Sequence, residues 1–244
     1  MSRHRLVNLA VFDIDGTLLN NLAGEDACYA QALREQLALA DLDTNWVSYE
    51  HVSDDGIATE AYARAYGRAP TAALRTATIE HFVALLRAAH VSSAPLVARR
   101  GAHELLAALP ACGWAVALAT GAWRRAAEYK LAAAGLPVDD VPLATSEDGP
   151  ARVAIVTRAI ARAQAQWGVS EFARVLSIGD GVWDVRAAQD LHLPFVGVGV
   201  GPSVDRLRGA GASHIIADYA DLEGTLRVFD RGQVPRRVNS REDR

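Results

Sequence analysis

Val11-Phe12-Asp13-Ile14-Asp15-Gly16-Thr17-Leu18 is the stretch on which the reading of this chain turns. A largely apolar run from Leu6 to Phe12 leads into it, two carboxylates follow two residues apart, and a glycine comes next. A short apolar run closed by a turn signal predicts a buried strand, so the carboxylates fall at a strand's exit. Residues i and i+2 of a strand face the same side, with a rise of about 3.3 Å per residue. Asp13 and Asp15 can therefore flank one small tetrahedral group, one carboxylate attacking phosphorus while the other meets the leaving oxygen. Gly16 permits the sharp departure that a side chain would hinder. The plainer alternative is a strand that simply ends in a solvated acidic turn.

Downstream of Leu18-Leu19 the strand signals stop, and from Glu25 to His90 the pattern is helical. Ala30, Leu33 and Leu37 share one helical face; Leu74, Thr78, Phe82, Leu85 and Ala89 line another. Between them Ser53-Asp54-Asp55-Gly56 is a turn and helix-start signal, followed by a shorter helix over Ile57–Tyr66. From Ala102 onward helix and strand alternate. Strands are predicted at Ala115–Thr120, Val141–Thr145, Val175–Ile178, Phe195–Val198 and His214–Ala217. Helices are predicted at Ala102–Leu109, Trp123–Ala134, Arg152–Trp167 (Val156, Ile160, Ala163 and Trp167 inward), Val182–Leu191, Val204–Leu207 and Asp221–Phe229. This alternation predicts an α/β fold, a Rossmann-like doubly wound parallel sheet with helices on both faces. Ligands of such sheets bind outside the carboxyl ends of the strands. The expected organisation is a core of residues 1–19 and 100–230, an all-helical insertion of residues 20–99, and a disordered tail of residues 231–244.

Two further predicted strand ends carry polar groups. Thr120-Gly121 places a hydroxyl and a glycine amide before a helix start, suited to holding phosphate oxygens; a helix cap would use the same residues. Ile178-Gly179-Asp180-Gly181-Val182-Trp183-Asp184 places Asp180 at a strand end and Asp184 one helical turn on. Mg²⁺ takes oxygen ligands, commonly one or two carboxylates with water and phosphate, although a capped helix with an acidic first turn would look alike.

Taken in order, these segments resemble the motifs of the haloacid dehalogenase superfamily, most of whose members are magnesium-dependent phosphatases. Asp13-Ile14-Asp15-Gly16-Thr17 is similar to its first motif, Thr120-Gly121 to its second, and Gly179-Asp180 with Asp184 to its fourth. The superfamily often inserts a helical cap between the first two motifs, and the closest pattern is that of phosphoglycolate-phosphatase-like members. Its third motif supplies a cation, usually lysine, at a helix start. Here Arg152 follows Thr145-Ser146-Glu147-Asp148-Gly149-Pro150-Ala151, which makes it the expected substitute. A planar fork is not a point charge, so this is a departure from the pattern. Lys130, the sole lysine, is the rival for this role; it lies inside the helix after Thr120, about two turns from the strand end, and is otherwise expected to snorkel to solvent.

The resemblance implies a mechanism. Asp13 would attack phosphorus to give an aspartyl phosphate, and Asp15 would hold a proton for the leaving oxygen and then activate water. Mg²⁺ would be held by Asp13, Asp15 through its backbone carbonyl, and Asp180, with Asp184 supporting. Thr120, Gly121 and Arg152 would stabilise the equatorial oxygens. Members that cleave carbon–halogen bonds lack the second acid, so Asp15 argues against dehalogenation. Asp54 and Asp55 are nominated as substrate contacts; they would repel a second phosphate and favour hydroxyl or amine groups. Trp123, Arg124 and Arg125 are placed near the leaving group, with the arginines otherwise on the surface. Trp46 and Tyr49 read first as core aromatics. The expected partner is a small phosphorylated metabolite. A phosphomutase on a sugar phosphate and a catalytically weak binding or regulatory protein stay open as alternatives.

Composition bounds the rest. At 244 residues, 50% hydrophobic and 22% charged, the chain has an ordinary globular balance. Its net charge is −4, and no basic stripe on the body points to nucleic acid. No apolar stretch is long enough to span a membrane. Cys28 and Cys112 stand apart with no metal-binding spacing, which fits a reducing, cytoplasmic compartment.

Overall fold

The computed structural model describes residues 7–20, 23–92 and 95–237. Strand β1 (Asn8–Phe12) is followed by three helices, α1 (Glu25–Leu37), α2 (Asp54–Tyr66) and α3 (Ala72–Ser92). Then come α4 (Ala102–Ala108), β2 (Trp114–Ala119), α5 (Arg124–Ala133), β3 (Leu143–Ala144), α6 (Arg152–Trp167) and β4 (Arg174–Gly179). The chain closes with α7 (Val182–Asp190), β5 (Phe195–Val198), α8 (Pro202–Gly209), β6 (Ile215–Ile216) and α9 (Leu222–Arg231).

The strands form one parallel sheet in the order β3-β2-β1-β4-β5-β6. This is the doubly wound arrangement expected from the alternation, and its strand order reverses direction between β1 and β4. Phe12 is level with both Leu118 and Ile178, so the residues after these three strands emerge side by side at one edge. The continuous apolar reading of β1 has a simple cause: both faces are covered. Leu9 and Val11 pack against Ile155, Val156, Ala159 and Ala163 of α6. Ala10 and Phe12 point the other way, into a cluster with Leu105, Tyr219 and Phe229.

The three helices between β1 and β2 bury a cluster of their own. Tyr29, Leu33 and Leu37 of α1 meet Ile57 and Tyr62 of α2 and Ile79, Phe82 and Leu86 of α3. Trp123 and Ala126 belong to the same cluster, so the helical layer is anchored on the start of α5. Ser53 caps α2 with its Oγ accepting from the Gly56 amide at 3.3 Å, and Gly67 ends it in the left-handed region.

Several boundaries move. The inward face of α3 is centred on Thr78, Ile79, Phe82, Val83 and Leu86, with Leu74 and Leu85 half-buried and packed at its edge. In α6 the buried positions are Ile155, Val156, Ala159 and Ala163, whereas Trp167 is 43% exposed. It is the last helical residue and borders an open groove beside Ala115 and Val116 of β2 instead of being covered. β3 is reduced to two residues because it pairs only with β2, at the sheet's edge. Part of the expected tail is ordered: Gln233 bridges to Phe195, and Arg237 pairs with Asp190 at 2.9 Å. Residues 1–6, 21–22, 93–94 and 238–244 lie outside the described residues.

These positions separate by stability. Phe229 is fully buried and packs edge-on against Trp114, so Phe229→Ala should cost about 3–5 kcal/mol in urea denaturation. Trp167→Ala should cost less than about 1 kcal/mol. Equal losses would contradict the placement of the α6 face.

Candidate active site

The end of β1 carries Asp13, only 6% exposed, whose amide donates to Ile178 O at 2.9 Å. The turn that follows is held by its own backbone: the amides of Leu18 and Leu19 both donate to Ile14 O, at 2.9 and 3.0 Å. Arg99 clamps it from outside, its guanidinium donating to Gly16 O and, at 3.1 Å, to Thr17 O. Gly16 has φ +75°, and a Cβ there would stand 2.0 Å from Asp180 Oδ2. Both conformation and space therefore demand glycine.

From the end of β4, Asp180 meets Asp13 across the point where the strand order reverses. Asp184 folds back over the start of α7 and accepts from the Gly181 amide at 3.0 Å. Carboxylate oxygens of Asp13, Asp180 and Asp184 lie within 4.8 Å of one another. Arg152, first residue of α6, reaches in from the other side. Its Nη1 is 3.1 Å from Asp13 Oδ1 and its Nε is 3.2 Å from Asp184 Oδ1.

Charge is unbalanced here. Burial and the neighbouring Asp184 raise the Asp13 carboxyl well above its usual range, against the pull of Arg152. Burial, Asp184 and Asp15 push Asp180 up to about 7. Burial raises Asp184 as well, with Arg152 opposing. One guanidinium does not neutralise three crowded carboxylates. A hard divalent cation suits this all-oxygen donor set, since it would supply the missing positive charge.

The second predicted strand end borders the same space. Thr120 is buried, and its Oγ1 accepts from the Ala122 amide at 3.1 Å. Gly121 meets the start of α2: its carbonyl accepts from the Asp54 amide at 2.8 Å. A Cβ on Gly121 would stand 3.1 Å from Arg152 Nη2 and 3.3 Å from Val52 O.

Above these groups lies a cavity of about 560 Å³. Its floor includes Asp13, Asp15, Thr120, Arg152 and Asp180, and its roof includes Glu25, Tyr29, Trp46, Asp54 and Phe82. Trp46 thus faces the cavity, edge-on to Tyr29 at 5.4 Å, while Tyr49 is buried among the helices as expected. The two nominated acids part company. Asp54 lines the cavity, with Oδ2 accepting from the Trp123 amide at the start of α5 at 2.9 Å. Asp55 is not among the lining residues; Arg75 and Trp123 Nε1 take up its carboxylate. Trp123 itself is fully buried beneath Tyr29 and Phe82 and is not among the cavity-lining residues. Arg124 and Arg125 pair with surface acids, Glu128 and Glu80.

Lys130 overturns the expectation of a snorkelling side chain. It is fully buried, with Nζ 2.6 Å from Asp15 Oδ1 and 2.6 Å from Glu25 Oε1. Burial disfavours the ammonium, but Asp15 and Glu25 more than compensate and raise its pKa. Burial and Asp15 raise Glu25, with Lys130 opposing. The expectation measured distance from the strand end, whereas Asp15 sits in the turn that leans toward α5. A lone lysine in an arginine-rich chain was the available signal. Glu25, Tyr29 and Phe82 carried no comparable mark.

Burial raises Asp54 to about 7. The folded protein then holds a proton on Asp54 that the unfolded chain, at about 3.9, releases. That contribution to stability is full below about pH 4 and is lost as pH rises through about 7. Asn keeps the acceptor for the Trp123 amide, so Asp54→Asn should gain stability relative to wild type between about pH 5 and pH 8, on the order of 1 kcal/mol. Denaturation at the two pH values measures this; an unchanged difference would mean Asp54 is ionised throughout.

Comparison with curated proteins found no match. Among solved structures, a hydrolase from Pseudomonas syringae aligns with TM-score 0.65 and 23% identity, covering 91% of this chain and 98% of that one. A predicted phosphoglycolate phosphatase from Haemophilus somnus aligns with TM-score 0.58 and 19% identity, covering 89% and 97%. β-Phosphoglucomutase from Clostridium difficile aligns with TM-score 0.64 and 14% identity, covering 93% and 98%. At such identities the likeness is one of fold. A model of the haloacid dehalogenase-like hydrolases matches residues 7–192 of the chain itself. With the match spanning most of its length, this chain belongs to the haloacid dehalogenase-like hydrolase family.

Proposed function

We propose that this chain is a Mg²⁺-dependent phosphohydrolase that cleaves a small phosphate monoester through an aspartyl phosphate on Asp13. The observation that carries the reading is the meeting of Asp13, Asp180, Asp184 and Arg152 at one end of a buried sheet, beneath a cavity. Asp13, Asp180 and Asp184, with the Asp15 carbonyl, are the groups to hold Mg²⁺, which when bound offsets carboxylate and phosphate charge as a Lewis acid.

In this reading an Asp13 carboxylate oxygen bonds to phosphorus as the bond to the leaving oxygen breaks. Asp15 gives its proton to that oxygen, so an alcohol departs. Asp15 then takes a proton from water, whose oxygen attacks phosphorus and frees phosphate and the Asp13 carboxylate. Lys130 holds Asp15 Oδ1, which leaves Oδ2 for the proton. Arg152, Thr120 and the Gly121 amide face the equatorial oxygens. Arg152 stands where the superfamily pattern has lysine, and its contact with Asp13 favours a working site over a purely binding role. The three-helix insertion, residues 20–99, acts as the cap that excludes water. The unpaired Cys28 and Cys112 accord with a cytoplasmic location. A phosphomutase is the second reading, favoured by the fold's likeness to β-phosphoglucomutase.

Phosphate release from a panel of phosphorylated metabolites tests this. Release should require Mg²⁺, stop with EDTA, and fall by roughly 10³-fold or more in Asp13→Asn. Isomerisation of a sugar phosphate without phosphate release would favour the mutase. Retained turnover in Asp13→Asn would overturn the role given to Asp13.

A further inference from the structure

The cavity is charged very unevenly. Among its described lining residues Arg152 is the sole cation, and it already faces Asp13 and Asp184. The roof, where the group esterified to phosphate must lie, contains Glu25, Asp26 and Asp54 and no lysine or arginine. The nearby cations are committed elsewhere: Lys130 to Asp15 and Glu25, and Arg75 to Asp55. Asp54 has a single partner for its side chain, the Trp123 amide on Oδ2, and no cation within ion-pairing distance among the described residues. Beside it the wall is aromatic, formed by Tyr29, Trp46 and Phe82.

A second phosphate or a carboxylate placed in this roof would find no free lysine or arginine to receive it, in a partly desolvated space where an unpaired anion is costly. A hydroxyl or ammonium group would instead find an acceptor in Asp54, and a short hydrocarbon body would lie on the rings. We propose that this end of the cavity selects a phosphate monoester whose alcohol part bears no second anion and offers a hydroxyl or ammonium donor to Asp54. The inference rests on the phosphohydrolase reading and narrows it. It also sets the chain apart from enzymes that must hold a bisphosphate, because the distal phosphate would have no receiving cation.

The test compares kcat/KM, with Mg²⁺ present, for glycerol 3-phosphate, O-phosphoethanolamine, 2-phosphoglycolate and fructose 1,6-bisphosphate, with p-nitrophenyl phosphate as a general probe. The first two should exceed the next two by about tenfold or more. Their own ratio distinguishes a hydroxyl from an ammonium donor. Asp54→Asn should lower kcat/KM for the preferred donor substrate by about tenfold relative to p-nitrophenyl phosphate. Preference for phosphoglycolate or the bisphosphate would overturn the proposal while leaving the phosphohydrolase reading intact. No release from any compound, p-nitrophenyl phosphate included, would instead overturn that reading. Should Asp54→Asn fail to fold, the order of the wild-type panel decides alone.

Discussion

Three carboxylates held within 4.8 Å in a buried space form the constraint on which this architecture depends. Like charges so placed repel, and burial raises the cost further. The fold imposes the arrangement nonetheless, because β1 and β4 run side by side and level, releasing Asp13 and Asp180 at the same edge. Asp184 is brought in by the first turn of α7, where it also satisfies the Gly181 amide. Among the described residues Arg152 is the cation that ion-pairs within the cluster, and its two contacts, to Asp13 and Asp184, span it. A site of three carboxylates with one guanidinium keeps uncompensated negative charge and is suited to binding a cation.

The helical layer is tied to this site by specific groups. The Asp54 amide reaches Gly121, its carboxylate caps the start of α5, and Ser53 Oγ donates to Pro150 O at 2.8 Å. Lys130 adds an ionic tie, since its two partners are Asp15 in the turn after β1 and Glu25 at the start of α1. Removing one member of such a buried set leaves an uncompensated charge, so the tie favours one relative placement of core and helices. The same contacts that roof the cavity thereby hold the turn that carries Asp15.

Much of this was legible in the residues. The apolar run before Asp13 reads as a strand because it is covered on both faces, and the alternation after Ala102 reads as a parallel sheet for the same reason. Asp13, Thr120, Arg152, Asp180 and Asp184 were each marked by position at a strand or helix end. What escaped depended on direction more than on type. Trp167 has the right composition for a core residue, yet ends its helix at an open groove and stays partly exposed. Asp54 and Asp55 are neighbours of identical chemistry, and only the rotation of α2 decides that one faces the cavity and the other Arg75. Lys130 was misplaced because helix distance along an axis says nothing of a turn that bends back over it.

The central claim, that Asp13 becomes covalently phosphorylated, is tested most directly by acid-quenching the enzyme during turnover with Mg²⁺ and mapping its peptides by mass spectrometry. The account predicts the mass of one phosphoryl group on the peptide containing Asp13, lost on treatment with hydroxylamine and absent without substrate. Turnover with that peptide unmodified throughout, or with the phosphoryl group on another residue, would contradict it.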